Sequence, residues 1–324
     1  MSGRPDGEDE IVDDNSEHRG YPGASAPARS RQVDASGVRI AVHEWGAEDA
    51  PPLLLAHGGF DFARTYDVFA PLLADAGWRV VSWDQRGHGD SDRAALYQWE
   101  ADMRDAVAVL DSVSSAPVPL VGHSKGGSLT THMAAGLPHR VSAVVNIDGI
   151  PSRRAMPDVQ DRDRTKLLAT DLAAWLDHRH DMVDAVRKPG TIEDLARRRG
   201  RMNPRLPVEW LEYLVTVGAS RSDDGWRWKI DPTLRMGGFG PWRPEWSLQR
   251  LADVSAPFLA LLGTEQELMG FGTTLDDVRG FVPPNGRVEE VDGAGHFVHI
   301  EQPDVVAALV LEHLADSVAK GRVA

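Results

Sequence analysis

Beyond residue 31 the chain settles into short apolar runs separated by amphipathic stretches. Residues 52–56 read Pro-Leu-Leu-Leu-Ala and residues 141–147 read Val-Ser-Ala-Val-Val-Asn-Ile. Runs of this length, apolar almost throughout, suit strands buried on both faces. Residues 38–43, 78–83 and 118–121 predict three more strands. Between them, helical spacing predicts helices over 65–76, 99–113 and 127–135. Such alternation predicts an α/β fold, with a mostly parallel central sheet flanked by helices.

The alternation stops after residue 150 and resumes near 251, with strands predicted over 258–262 and 287–291 and a closing helix over 303–318. The interval is rich in Arg, Pro and Trp, and holds Trp175, Trp210, Trp226, Trp228, Trp242 and Trp246. A structureless loop of that length is rare inside a compact domain. Helical patterns at 165–177 and 208–217 instead predict an inserted helical cap over 151–250. The core is then split into residues 32–150 and 251–324.

Composition narrows the picture. Residues 1–31 carry seven carboxylates (Asp6, Glu8, Asp9, Glu10, Asp13, Asp14, Glu17) and little apolar periodicity, so a disordered acidic tail is expected. The balance of 49 acidic against 35 basic residues gives a net charge of −14. That balance argues against nucleic acid or an anionic membrane as partner. With no cysteine, disulfides, thiol catalysis and thiolate metal sites are excluded together. Neither a signal-peptide pattern nor a bilayer-length apolar run occurs, and a cytoplasmic location is expected.

The candidate chemistry centres on Gly122-His123-Ser124-Lys125-Gly126, placed between a predicted strand and a predicted helix. A serine flanked by glycines at such a junction has the form of a nucleophile elbow. A hydroxyl needs a base. His296, in the glycine-rich stretch Asp292-Gly293-Ala294-Gly295-His296-Phe297 after the last predicted strand, can reach the sheet's carboxyl edge. The turn His57-Gly58-Gly59-Phe60 ends another strand. It would supply the Gly59 N–H, with the Lys125 N–H, to a developing oxyanion. His57 is expected to brace this loop, and the Lys125 side chain to be solvated or ion-paired.

Taken in order, His57-Gly58-Gly59, the run 84–91 (Asp-Gln-Arg-Gly-His-Gly-Asp-Ser), Gly122 to Gly126 and Gly295-His296-Phe297 resemble the α/β-hydrolase fold superfamily. The resemblance spans about residues 35–150 and 252–318, and the insertion lies where that family carries its lid. It implies a rigid structural loop at 84–91 and a carboxylate that orients His296. The family's usual place for that acid, three or four residues past the glycine ending the strand at 258–262, offers Gln266 and Glu267. Glu267 is the first candidate, with Asp148 and Glu265 as alternatives. Family members with an aspartate at the elbow open epoxides or displace halides, whereas Ser124 points to acyl transfer.

No metal or other cofactor is expected: there is no H-E-x-x-H pairing, and the glycine run at 237–240 lies outside any phosphate-binding βαβ unit. The expected activity is cleavage of a small ester, lactone or related acyl compound. An acyltransferase, a perhydrolase, a lyase and a ligand-binding receptor on the same fold are the alternatives. None of these motifs specifies an oligomeric state.

Overall fold

The computed structural model describes residues 19–95, 97–151, 164–182, 184–234 and 244–321. The acidic run up to residue 18, the glycine run at 237–240 and Trp242 lie outside them. In chain order the first half comprises β1 (Arg29–Asp34), β2 (Arg39–Trp45), β3 (Pro52–Ala56), α1 (Phe69–Asp75), β4 (Arg79–Trp83), α2 (Trp99–Val113), β5 (Val118–His123), α3 (Lys125–Gly136) and β6 (Val141–Ile147). Then come α4 (Arg164–Asp181), α5 (Ile192–Gly200), α6 (Val208–Gly218), β7 (Ala219–Ser222), β8 (Gly225–Trp228) and α7 (Pro244–Leu251). The chain closes with β9 (Phe258–Gly263), α8 (Leu275–Val278), β10 (Gly286–Val291), α9 (Val298–Glu301) and α10 (Pro303–Gly321).

Eight strands form one sheet in the order β1-β2-β4-β3-β5-β6-β9-β10. From β4 to β10 neighbouring strands are parallel, while β1 and β2 add an antiparallel edge. Alternation along each strand sends side chains to opposite faces. Leu54 and Ala56 join Val42, Leu120 and Phe258 under α2 and α3, whereas Leu53 and Leu55 join Val145, Leu259 and Leu261 under α1 and α10. The near-continuous apolar runs of β3, β5 and β6 thus reflect burial on both sides.

Two expected boundaries move. Residues 19–31 are ordered: the Tyr21 ring stands 4.9 Å from Trp210, the Trp45 indole N–H donates to Ser25 O at 2.9 Å, and β1 begins at Arg29. β1 is an edge strand whose arginines pair with Glu44, so its outward face carries no apolar alternation to read. At the other boundary, α7 straddles residue 250, and Leu248, within the expected insertion, buries with Leu251 into the sheet-side cluster beside α3. Between them, α5, α6 and the β7–β8 hairpin build a separate apolar cluster around Trp210, Leu195 and Leu214. That cluster takes in Phe62 and Phe297 from the core, which seats it over the carboxyl edge of the sheet. Among the described residues no helix is long and apolar enough to cross a membrane.

Candidate active site

β5 lies between β3 and β6, so its end is flanked by theirs. Ser124 follows β5 directly with φ 52° and ψ −119°, an unusual backbone for a residue with a side chain. The surrounding glycines are required by contact. A Cβ on Gly126 would lie 2.0 Å from Ala56 O, and one on Gly122 2.2 Å from Gly126 O. Only bare backbone fits where β5 turns into α3. The turn leaves Ser124 Oγ facing His296, and its hydroxyl donates to Nε2 at 3.0 Å.

On the far side of the imidazole, Nδ1–H donates to Asp148 Oδ2 at 2.5 Å. Asp148 sits just past β6 at φ 45°, its N–H bonded to Leu261 O. The adjacent turn is braced by Asn146, whose side chain accepts from Gly149 N–H at 2.8 Å and donates to Thr131 Oγ1 at 3.0 Å. Ser124, His296 and Asp148 are all under 10% exposed. Asn146 was not among the residues expected at the site, although a buried amide in a largely apolar strand is a usable signal.

Glu267, the first sequence candidate for the acid, does not meet the imidazole. Its Oε2 accepts from the His296 backbone N–H at 2.6 Å, while the ring Nδ1 is bonded to Asp148. Gly295 allows this approach, since a Cβ there would stand 2.6 Å from the same oxygen. Burial pushes the Glu267 carboxyl up, and the bond from His296 N–H pulls it back. Glu265 is further off still, half-exposed and 3.9 Å from the Arg205 guanidinium. Arg205 also donates to Glu301 Oε2 at 2.8 Å and to Gly293 O at 2.6 Å, and Glu301 Oε1 accepts from Gly295 N–H at 3.0 Å. The loop carrying His296 is therefore held through its backbone by two carboxylates and one arginine.

The glycine turn after β3 lies against Ser124: a Cβ on Gly58 would be 3.3 Å from Ser124 Cβ and 3.0 Å from His123 Nδ1. Phe60 then takes φ 56°. Lys125 opens α3 directly after Ser124, where backbone N–H groups lack intrahelical partners, and its Nζ pairs with Asp102 at 2.6 Å. His57 braces the loop, as its Nδ1–H donates to Gly58 O at 2.7 Å and its Nε2 accepts from Gln85 N–H at 2.9 Å. Asp84 anchors the 84–91 loop, accepting from Ala63 N–H and Asp90 N–H, each at 2.7 Å. His43, Asp84 and Asp90 have ligand-type atoms within 4.8 Å of one another. These backbone bonds hold both Asp84 oxygens, and Lys229 pairs with Asp90 Oδ1 at 2.6 Å.

Four buried histidines around this edge have a common consequence. Burial lowers His57 and His299 from 6.5 to about 3 and His88 to about 4, and drives His123 well below its ordinary value. In the unfolded chain all four protonate near 6.5, so between about pH 6.5 and 5 the unfolded state binds more protons. Their contribution is complete above that window and is lost as pH falls, by up to about 1.4 kcal/mol per pH unit for each residue. Carboxylates pushed up by burial, such as Asp61 and Asp67, have the opposite sign, and the four histidines together outweigh them. Melting followed by circular dichroism should show Tm falling steadily from pH 6.5 to 5. A flat Tm across that range would contradict it.

The family whose model matches the chain, over residues 51–303, is described as alpha/beta hydrolase fold. An AB hydrolase superfamily protein of Bacillus subtilis is 24% identical, covering 87% of this chain and 96% of its own length. Epoxide hydrolase A of Mycobacterium tuberculosis is 28% identical, over 88% of this chain and 96% of its own. Among solved structures, the thioesterase domain from the curacin biosynthetic pathway superposes with a TM-score of 0.76 at 21% identity. It covers 88% of this chain and 99% of that domain.

Proposed function

On the footing that the chain belongs to the α/β-hydrolase fold family, we propose that it is a serine hydrolase cleaving a small ester, lactone or related acyl compound. The observation that carries this reading is the unbroken contact from Ser124 Oγ through His296 to Asp148, at 3.0 and 2.5 Å. His296 Nε2 takes the proton as Ser124 Oγ attacks the carbonyl carbon. Asp148 holds the ring in the tautomer with a proton on Nδ1 and stabilises the imidazolium that forms. The backbone N–H groups of Gly59 and Lys125 stabilise the oxyanion. His296 then protonates the leaving group, and water activated by the same ring releases the acid from the acyl-enzyme.

An epoxide hydrolase among the relatives does not transfer its chemistry here. In family members that open epoxides the elbow residue is an aspartate, and in this chain it is Ser124. The insertion, seated on Phe62 and Phe297, acts as a cap that excludes water and favours a small substrate over a polymer. A net charge of −14 also disfavours nucleic acid as substrate.

Labelling with a fluorophosphonate probe, followed by peptide mapping, tests the nucleophile without a known substrate. Modification should fall on Ser124 alone, and short-chain p-nitrophenyl esters should be turned over. A folded protein that neither labels nor cleaves such esters would refute the reading.

A further inference from the structure

We propose that Arg199 is a positioning residue for the reaction: carried by the insertion, it holds the loop at 58–61 in place over Ser124. The inference rests on the serine hydrolase reading. Arg199 lies in the last turn of α5, outside the core strands that carry the catalytic groups. Its Nη1–H donates to Phe60 O at 2.9 Å and its Nη2–H to Asp61 Oδ1 at 3.2 Å. The guanidinium carbon also stands 5.7 Å above the Trp228 ring of β8. A planar fork can serve a carbonyl, a carboxylate and an aromatic face together, which an ammonium cannot.

What it holds is under strain. Phe60 keeps φ 56°, a conformation that is costly for a bulky residue and persists only where its surroundings over-determine it. A return to negative φ would swing the chain before Phe60 against the chain after it. That swing would displace Gly58, which stands against Ser124, and with it the neighbouring Gly59 amide assigned to the oxyanion. Phe60 O, fixed by Arg199, and Phe62, packed into the insertion's apolar cluster, oppose it from both sides. Asp61 is 1% exposed. Burial pushes its carboxyl up and the Arg199 charge pulls it back, so the pair is mutually dependent.

The test compares wild type with Arg199→Gln and Arg199→Lys, each normalised to the active-site concentration titrated by a fluorophosphonate, which counts only folded enzyme. For Arg199→Gln, kcat on a neutral p-nitrophenyl ester should fall about 10- to 100-fold with KM within threefold. Affinity for a boronic acid, whose tetrahedral adduct uses the same amides, should fall in step with kcat/KM. Arg199→Lys should recover part of the loss; should the Gln variant be insoluble, a drop of at least threefold in the Lys variant carries the same conclusion. Wild-type kcat per titrated site, or a rise in KM alone, would overturn the inference. A wild type that fails to label sinks the hydrolase reading and this inference with it. A Gln variant that labels as fast as a competent wild type sinks this inference alone.

Discussion

Asp148→Asn should lower kcat by about 10⁴-fold, whereas Glu267→Gln should cost less than tenfold. The first substitution is nearly isosteric, and asparagine tolerates the left-handed backbone that Asp148 adopts at φ 45°, so the fold should survive. What changes is the partner of His296 Nδ1–H. An amide can present its NH₂ group instead of an acceptor, which favours the wrong tautomer, and it carries no charge to stabilise the imidazolium. Glu267→Gln, in contrast, keeps a carbonyl oxygen for the His296 backbone N–H that Glu267 now accepts at 2.6 Å. Steady-state kinetics on one ester decide the matter. Near-normal turnover in Asp148→Asn beside a collapse in Glu267→Gln would move the acid to residue 267.

Ser124→Ala carries the largest expected loss, about 10⁵- to 10⁶-fold in kcat. Alanine accepts the φ 52° backbone as well as serine does, and the glycines that enclose the turn are untouched. Binding should therefore persist while covalent chemistry stops, and KM or the affinity for a competitive inhibitor should stay within a few-fold of wild type. Residual turnover should stay above the uncatalysed rate, because the oxyanion donors and the substrate site survive. A Ser124→Ala protein that retains a tenth of wild-type activity would place the nucleophile elsewhere.

The parts of this molecule that were legible in the sequence are those set by local rules. β3, β5 and β6 were readable because burial on both faces leaves an apolar run, and α2 and β6 occupy the expected spans, residues 99–113 and 141–147. The pairing of Ser124 with His296 followed from glycine chemistry at strand ends. β1 was not legible, because it is an edge strand whose outward positions are arginines paired with Glu44. The choice between Asp148 and Glu267 was not legible either. Both carboxylates end up beside the same loop, and only the direction in which the His296 ring turns separates them. Arg199, Arg205 and Glu301 gave no local signal, since each acts on backbone atoms brought close by the tertiary fold.

The insertion touches the loops after β3 and β10 through guanidinium groups, Arg199 on Phe60 O and Arg205 on Gly293 O. An insertion of this kind invites exchange between family members when a new specificity is wanted. Here a transplanted insertion that lacked equivalent donors would strip two carbonyls of their guanidinium partners and the buried carboxylate of Asp61 of its ion pair, however well it fitted the new substrate. Chimeras should accordingly be designed with both arginines retained, or with the receiving loops redesigned alongside them.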